Sequence, residues 1–221
     1  HERFRFEADR RLYLVAHAAL REILSRYAGV PPAALEFQAD ADGRPELVAP
    51  ATQPRLSFNL SHTTGAVAVA VALERAVGVD IEERERRAEP EEIAERFFSP
   101  AETRELMACP LETRKRRFIE FWTLKEAYIK ACGKGLALPL DSFSFSISAT
   151  ADPEIAFADS RSGLPPRWRF RLLRPSPRHI AAVAVGDCAG DSPSIELWAI
   201  SPGVGEPGIR PLAVEKRRSS E

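Results

Sequence analysis

The chain has 221 residues, with 31 Lys and Arg against 32 Asp and Glu, so its formal net charge is −1. That balance offers no global electrostatic argument for nucleic acid or an anionic membrane, and no run reaches the roughly 18 apolar residues of a membrane-spanning helix or forms a secretory leader. Cys109, Cys132 and Cys188 are isolated and lack CxxC spacing, which argues against a disulfide framework or zinc site and fits a reducing cytoplasm; a monomer is expected.

Ala8 to Tyr27 has helical periodicity, with Leu12, Val15, Ala19, Leu20, Ile23, Leu24 and Tyr27 on one face, and Gly29 with Pro31-Pro32 stops it. Leu35 to Phe37 is a short strand, Asp42-Gly43 a turn, and Pro45 to Pro54 a loop. Strands follow at Leu56 to Leu60, Ala66 to Leu73 and Val77 to Glu82; the second is a nearly unbroken Ala/Val run that predicts burial on both faces. Arg84 to Glu92 is densely charged and reads as a solvated loop or helix start, and Glu91 to Phe98 as a helix. Ser99-Pro100-Ala101-Glu102 has the N-cap, N1 proline and N3 glutamate of a capping box, opening a helix to Cys109. Phe97, Phe98, Leu106 and Met107 are core candidates.

Leu111 to Cys132 is the longest amphipathic helix, closed by Gly133 where a left-handed cap is expected. Strands then run Ser142 to Ser148, Ile155 to Phe157, Arg167 to Leu173, Ile180 to Val185 and Ile195 to Ile200, and from Ser201 the chain reads as a frayed tail. Helix followed by strands thus occurs twice. The basic runs from Arg84 to Arg87 and Arg114 to Arg117 are read as solvated faces, the second suited to an acidic partner.

Three constellations carry chemistry. Trp122, Glu126 and Lys130 at i, i+4 and i+8 form one line along a helix, neighbours about 6 Å apart. Set against apolar Phe118, Phe121, Leu124 and Ile129, this line predicts charges held against the protein body, where they need a partner such as a metal or a phosphate. Asp80 and Glu82, two apart on a strand, leave one face together and repel unless a cation lies between them. Spacing alone leaves open a solvent-facing strand end. Ser61-His62-Thr63-Thr64 is a cluster of hydroxyl and imidazole donors suited to a phosphate, though the residues alone leave a structural histidine open; it does not read as a Ser–His catalytic dyad, because the two are sequence neighbours and no third member is evident. Gly133-Lys134-Gly135 follows a helix instead of preceding one, so it is no P-loop.

The series Trp122-x-x-Lys125-Glu126-Ala127-x-x-Lys130-x-x-Gly133-x-Gly135-Leu136 resembles the signature of 4′-phosphopantetheinyl transferases of the surfactin-synthetase-activating type. Phe58-Asn59-Leu60-Ser61-His62 and Gly78-Val79-Asp80-Ile81-Glu82 match the same family in the same order, and Gly43-Arg44-Pro45 resembles its turn beside the adenine nucleotide. The resemblance runs from about Phe4 to Val185. It implies an α+β fold of two similar halves related by a pseudo-twofold, with the active site between them: residues 1–82, a connecting region 83–110, residues 111–200, and a tail. It implies transfer of 4′-phosphopantetheine from coenzyme A to a serine of an apo acyl or peptidyl carrier protein, releasing 3′,5′-ADP. Asp80, Glu82 and Glu126 would hold Mg²⁺, Glu126 would act as general base and Lys130 as acid at the leaving phosphate. Arg44, Ser61, His62, Asp80 and Lys130 would bind coenzyme A. Family members carry a longer basic segment ahead of the first helix, so a fragment, or a protein short of that grip, is expected. A silent carrier-binding homologue would have lost a metal ligand and none is lost; another Mg²⁺-dependent phosphotransferase would need a Walker or kinase motif, and none is found.

Overall fold

The structure is a computed structural model describing residues 7–86, 89–157, 167–186, 195–201 and 208–211. Helix α1, Glu7–Ala28, buries only Ala16, Leu20, Leu24 and Ser25. Val15 and Tyr27, expected inside, are 50% and 59% exposed. The helix packs chiefly on the strands β3 (Leu56–Thr63) and β4 (Ala66–Leu73) and on the turn at Pro32–Ala34, so a narrow i, i+4, i+8 stripe suffices. Strands β1, Glu36–Ala39, and β2, Pro45–Ala49, form an antiparallel pair. The segment from Pro45, expected to be loop, is therefore partly strand: Pro45 takes the first position of β2, where a missing N–H is tolerated.

β3 and β4 pair without interruption around the two-residue turn Thr64-Gly65, whose left-handed second position (φ +76°) calls for glycine. Both faces of β4 meet apolar neighbours, the valines toward α1 and the alanines toward a second cluster. No residue of this edge strand is fully buried, however, and Leu73 is exposed, contrary to the expectation from its composition.

A second sheet has the antiparallel order β5 (Val77–Glu83), β9 (His179–Val185), β8 (Arg169–Ser176). β5, counted with the N-terminal half on sequence, thus ladders onto the C-terminal strands. Helices α2, Pro90–Phe97, and α3, Pro100–Ala108, lead to α4, Leu111–Cys132, which lies on β5 and β9. β6, Phe143–Ser146, pairs with β7, Glu154–Phe157. β10, Trp198–Ser201, pairs with β11, Gly208–Pro211, so part of the expected frayed tail is a strand. Cys188 and Arg87 lie outside the described residues. No helix among the described residues is long and apolar enough to cross a membrane.

The two sheets meet at β3 and β5 through side chains. Asn59 Oδ1 accepts the Val79 N–H at 2.8 Å, and Ser61 Oγ accepts the Ile81 N–H at 3.4 Å. The spacing of two matches on both strands because alternate residues point the same way.

The main core surrounds α4: Phe118, Phe121, Leu124 and Ile129 pack with Phe98, Leu106, Phe143, Phe145, Phe170 and Ile180. Phe97 and Met107 stay at its margin. The basic run at the start of α4 is less solvated than expected. Arg114 donates to the Met107 and Cys109 carbonyls, and Arg116, Arg117 and Arg174 all pair with Glu120, which is 1% exposed. Inside the core, Lys125 is wholly buried; its Nζ lies 2.8 Å from Glu102 Oε2 and donates to the carbonyls of Leu140 and Phe143 at 2.6 and 2.8 Å. Glu102 is the N3 residue of the predicted capping box, which forms with Ser99, and its other oxygen accepts the Phe145 N–H at 2.9 Å. Burial lowers the pKa of Lys125, and the opposing charge of Glu102 keeps the ammonium in place.

Removing one partner of such a buried pair leaves an uncompensated charge. Lys125→Met is expected to cost about 3–5 kcal/mol, read from the urea unfolding midpoint. Adding Glu102→Gln should restore most of it; a single variant as stable as wild type would contradict the pairing.

Candidate active site

From Phe118 to Ala131, every residue of α4 is buried except Trp122, Glu126 and Lys130. The line expected against the protein body is half-buried, and it is the least buried track along this stretch of helix. β5 lies across it by strict alternation: Val77, Val79 and Ile81 enter an apolar cluster, while Gly78 faces α4 so closely that a Cβ there would sit 2.0 Å from the Ala127 carbonyl oxygen. Asp80, two residues on, then meets α4 one turn along.

Lys130 Nζ lies 2.6 Å from Asp80 Oδ1 and 3.2 Å from Ser61 Oγ, and Ser61 donates to the same Oδ1 at 2.8 Å. Asp80 is 4% exposed, and its Oδ2 is buried without a hydrogen-bond partner. Glu82 accepts from Arg86, whose guanidinium lies 5.5 Å over the Trp122 ring. Burial raises the pKa of Glu82, and the charge of Asp80 adds to it against Arg86, Lys130 and Trp122. Burial likewise raises that of Glu126, with Lys130 and Arg86 opposing and Asp80 reinforcing. Among the described residues no three His, Cys, Asp or Glu side chains are drawn together into a metal-binding group. Asp80 and Glu82 are instead engaged as ion pairs with Lys130 and Arg86.

His62 is exposed beside Ser61, close enough that its charge contributes, after burial, to lowering the pKa of His17 on α1. A cavity of about 340 Å³ opens there, lined by His17, Arg21, Phe37, Arg44, Phe58 and Asn59 among others. Arg44, expected at the nucleotide, lines this cavity but directs its guanidinium at backbone: the Ala131 carbonyl at 3.2 Å, Phe58 at 3.2 Å and Val77 at 3.1 Å. Ser61, Asp80 and Lys130 are therefore in direct contact, Glu82 and Glu126 interact with them electrostatically, and His62 and Arg44 lie to the side.

Sequence reasoning missed Arg86, which stood in a charged run indistinguishable from a solvated face. It also missed Asn59 as the partner of β5, although that residue sits in a motif with the matching spacing.

The profile described as the 4′-phosphopantetheinyl transferase superfamily matches residues 76–184, and that described as 4′-phosphopantetheinyl transferase, N-terminal, matches residues 1–74. The chain is similar to the 4′-phosphopantetheinyl transferase HetI of Nostoc sp., with 34% identity over 83% of this chain and 74% of that protein. It is also similar to the 4′-phosphopantetheinyl transferase Sfp of Bacillus subtilis, with 32% identity over 72% and 69%. The crystal structure of the Thermotoga maritima holo-[acyl-carrier-protein] synthase overlaps with TM-score 0.42 at 20% identity, covering 63% of this chain and 84% of that one.

The geometry predicts a strict limit at Gly78. An added methyl meets α4 backbone, which cannot rotate away, so Gly78→Ala is expected to lose about 3 kcal/mol, the upper end of overpacking, by urea unfolding. Wild-type stability in that variant would show that β5 does not lie against α4 as described.

Proposed function

The chain belongs to the 4′-phosphopantetheinyl transferase superfamily, and from that membership we propose how its residues carry out the transfer. The protein is a transferase acting on coenzyme A and a carrier protein. One observation carries the assignment of the site. The three motif segments converge on Asp80, with Ser61 and Lys130 sharing one oxygen while the other is buried and unpartnered.

In this reading the hydroxyl oxygen of a carrier serine attacks the phosphorus that bears pantetheine, and the bond from that phosphorus to 3′,5′-ADP breaks. Glu126, half-buried beside Lys130, takes the serine proton. Lys130, oriented by Ser61 and Asp80, supplies a proton or hydrogen bond to the departing phosphate oxygen. His62, on the exposed side of β3, binds the 3′-phosphate, with Arg44 at the nucleotide cavity. The orphaned Asp80 Oδ2 and a donor set of three carboxylates fit a hard divalent cation. Asp80, Glu82 and Glu126 would hold Mg²⁺, which when bound offsets charge developing on the diphosphate.

The helix-on-strands arrangement, α1 on β3–β4 and α4 on β5–β9, supports two α+β halves related by a pseudo-twofold, with β5 laddered onto the second and the expected connecting region 83–110 leading from β5 into α4. The partly exposed Lys115 and Arg116 at the start of α4 support docking of an acidic carrier, by a monomer working in the cytoplasm. A silent homologue is disfavoured because all three carboxylates are present.

Incubation with coenzyme A, Mg²⁺ and a panel of apo carriers should add one phosphopantetheine to the intact mass of at least one carrier; no gain on any would refute the reading. Glu126→Gln should keep coenzyme A binding by calorimetry within about tenfold yet lose at least about 10²-fold in kcat. Binding lost in step with turnover would leave Glu126 without the base role. His62→Ala should raise KM for coenzyme A far more than for 3′-dephospho-coenzyme A, and equal effects would make the histidine structural.

A further inference from the structure

We propose that His179 is a positioning residue for the Ser61–His62 segment, holding it from the opposite sheet through the carbonyl of Thr64. This rests on the reading of His62 as a substrate contact. His179 opens β9 and is 7% exposed, yet belongs to none of the three motifs. Its Nε2 lies 2.9 Å from the Thr64 carbonyl oxygen and its Nδ1 2.8 Å from Ser176 Oγ.

The chemistry of the partners fixes the tautomer. A carbonyl only accepts, so Nε2 carries the hydrogen. Nδ1 of the neutral ring then accepts from the Ser176 hydroxyl, whose oxygen in turn accepts the Arg178 N–H at 3.2 Å. The platform beneath the imidazole is held separately: Arg84 accepts no part in the ring contacts but donates its backbone N–H to the Arg178 carbonyl at 2.8 Å and its guanidinium to Pro177 at 2.9 Å. Two hairpin turns, Pro177-Arg178 and Thr64-Gly65, are thereby joined through one ring.

What this joins is the end of β3 that needs support. His62, Thr64 and Gly65 are all exposed. The side-chain bonds to β5 stop at Ser61. His62 thus lies between two anchors, Ser61 on β5 and Thr64 on His179. With the second removed, the tip keeps its pairing with β4 and the apolar packing of Ala66 but loses its polar tie to the opposite sheet, and edge hairpin ends fray.

The test uses His179→Gln, His179→Asn and His179→Ala. Glutamine can place an N–H donor where Nε2 stands; asparagine reaches only the Nδ1 position, and alanine neither. The His179→Gln variant should keep KM for coenzyme A within about twofold. The His179→Asn and His179→Ala variants should raise it about fivefold with kcat nearly unchanged, the scale of one hydrogen bond. Amide hydrogen exchange over Ser61 to Ala66, measured on the free protein, should accelerate in the Asn and Ala variants and not in the Gln variant. Where His179→Ala does not fold, the Asn and Gln pair decides. Equal behaviour of that pair, or faster exchange with no rise in KM, overturns the proposal. If wild-type protein modifies no carrier, the proposed reaction fails instead; exchange then decides alone, acceleration in the Asn variant upholding the tie and unchanged exchange refuting it.

Discussion

The structure depends on a seam that has no backbone ladder. β3 and β5 run side by side, each hydrogen-bonded to a different sheet, and the polar groups on their facing edges would be orphaned in a half-buried interior. Side chains supply the missing partners: Asn59 and Ser61 take the N–H groups of Val79 and Ile81, and Arg44 donates to the carbonyls of Phe58 and Val77. A ladder would have joined the strands uniformly. Side-chain bridging instead leaves Ser61 Oγ at the one place where it also reaches Asp80 and Lys130. The same hydroxyl therefore closes the seam and organises the site.

α4 reconciles two demands by separating its faces. Nearly all round it is buried, as a core helix is, yet it carries charges that a core cannot hold unpaired. Lys125 is neutralised by Glu102 on the inside, and Glu120 by three arginines at the outer margin. These pairs set the register of α4 against α3 and the C-terminal strands, so that Trp122, Glu126 and Lys130 are left on the least buried line. The signature lysine at 125 and the one at 130 thus have unlike roles five residues apart, because five residues rotate a side chain by more than a third of a turn.

Much of this was legible in the sequence where a local rule decides the structure. The Ser99–Glu102 capping box and the left-handed Gly133 follow from spacing alone; the line of Trp122, Glu126 and Lys130 needed its apolar flank as well, and it lies half-buried where it was expected against the protein body. The convergence of Ser61, Asp80 and Lys130 needed the family resemblance, since nothing local says that β3 meets β5. Elements decided by distant partners were not legible. β2 was masked by its prolines, Arg86 by a run of like residues, and the inward aim of Arg44 by an ordinary-looking turn. His179 gives no local sign at all: its two partners are three and 115 residues away.

The charge count of the site constrains how substrate enters. Three carboxylates, Asp80, Glu82 and Glu126, face two cations, Lys130 and Arg86. Already one negative charge in excess, and partly withdrawn from water, the cluster has no surplus with which to receive a diphosphate. Burial is the main cause raising the pKa values of Glu82 and Glu126, and the charge of Asp80 adds to it against Lys130 and Arg86. On the proposed reading, a diphosphate alone would add to that excess, whereas a divalent cation held by Asp80, Glu82 and Glu126 would offset it. The ion pair between Lys130 and Asp80 is what the cluster does with that imbalance, and Ser61, bonded to both partners, fixes where the two meet.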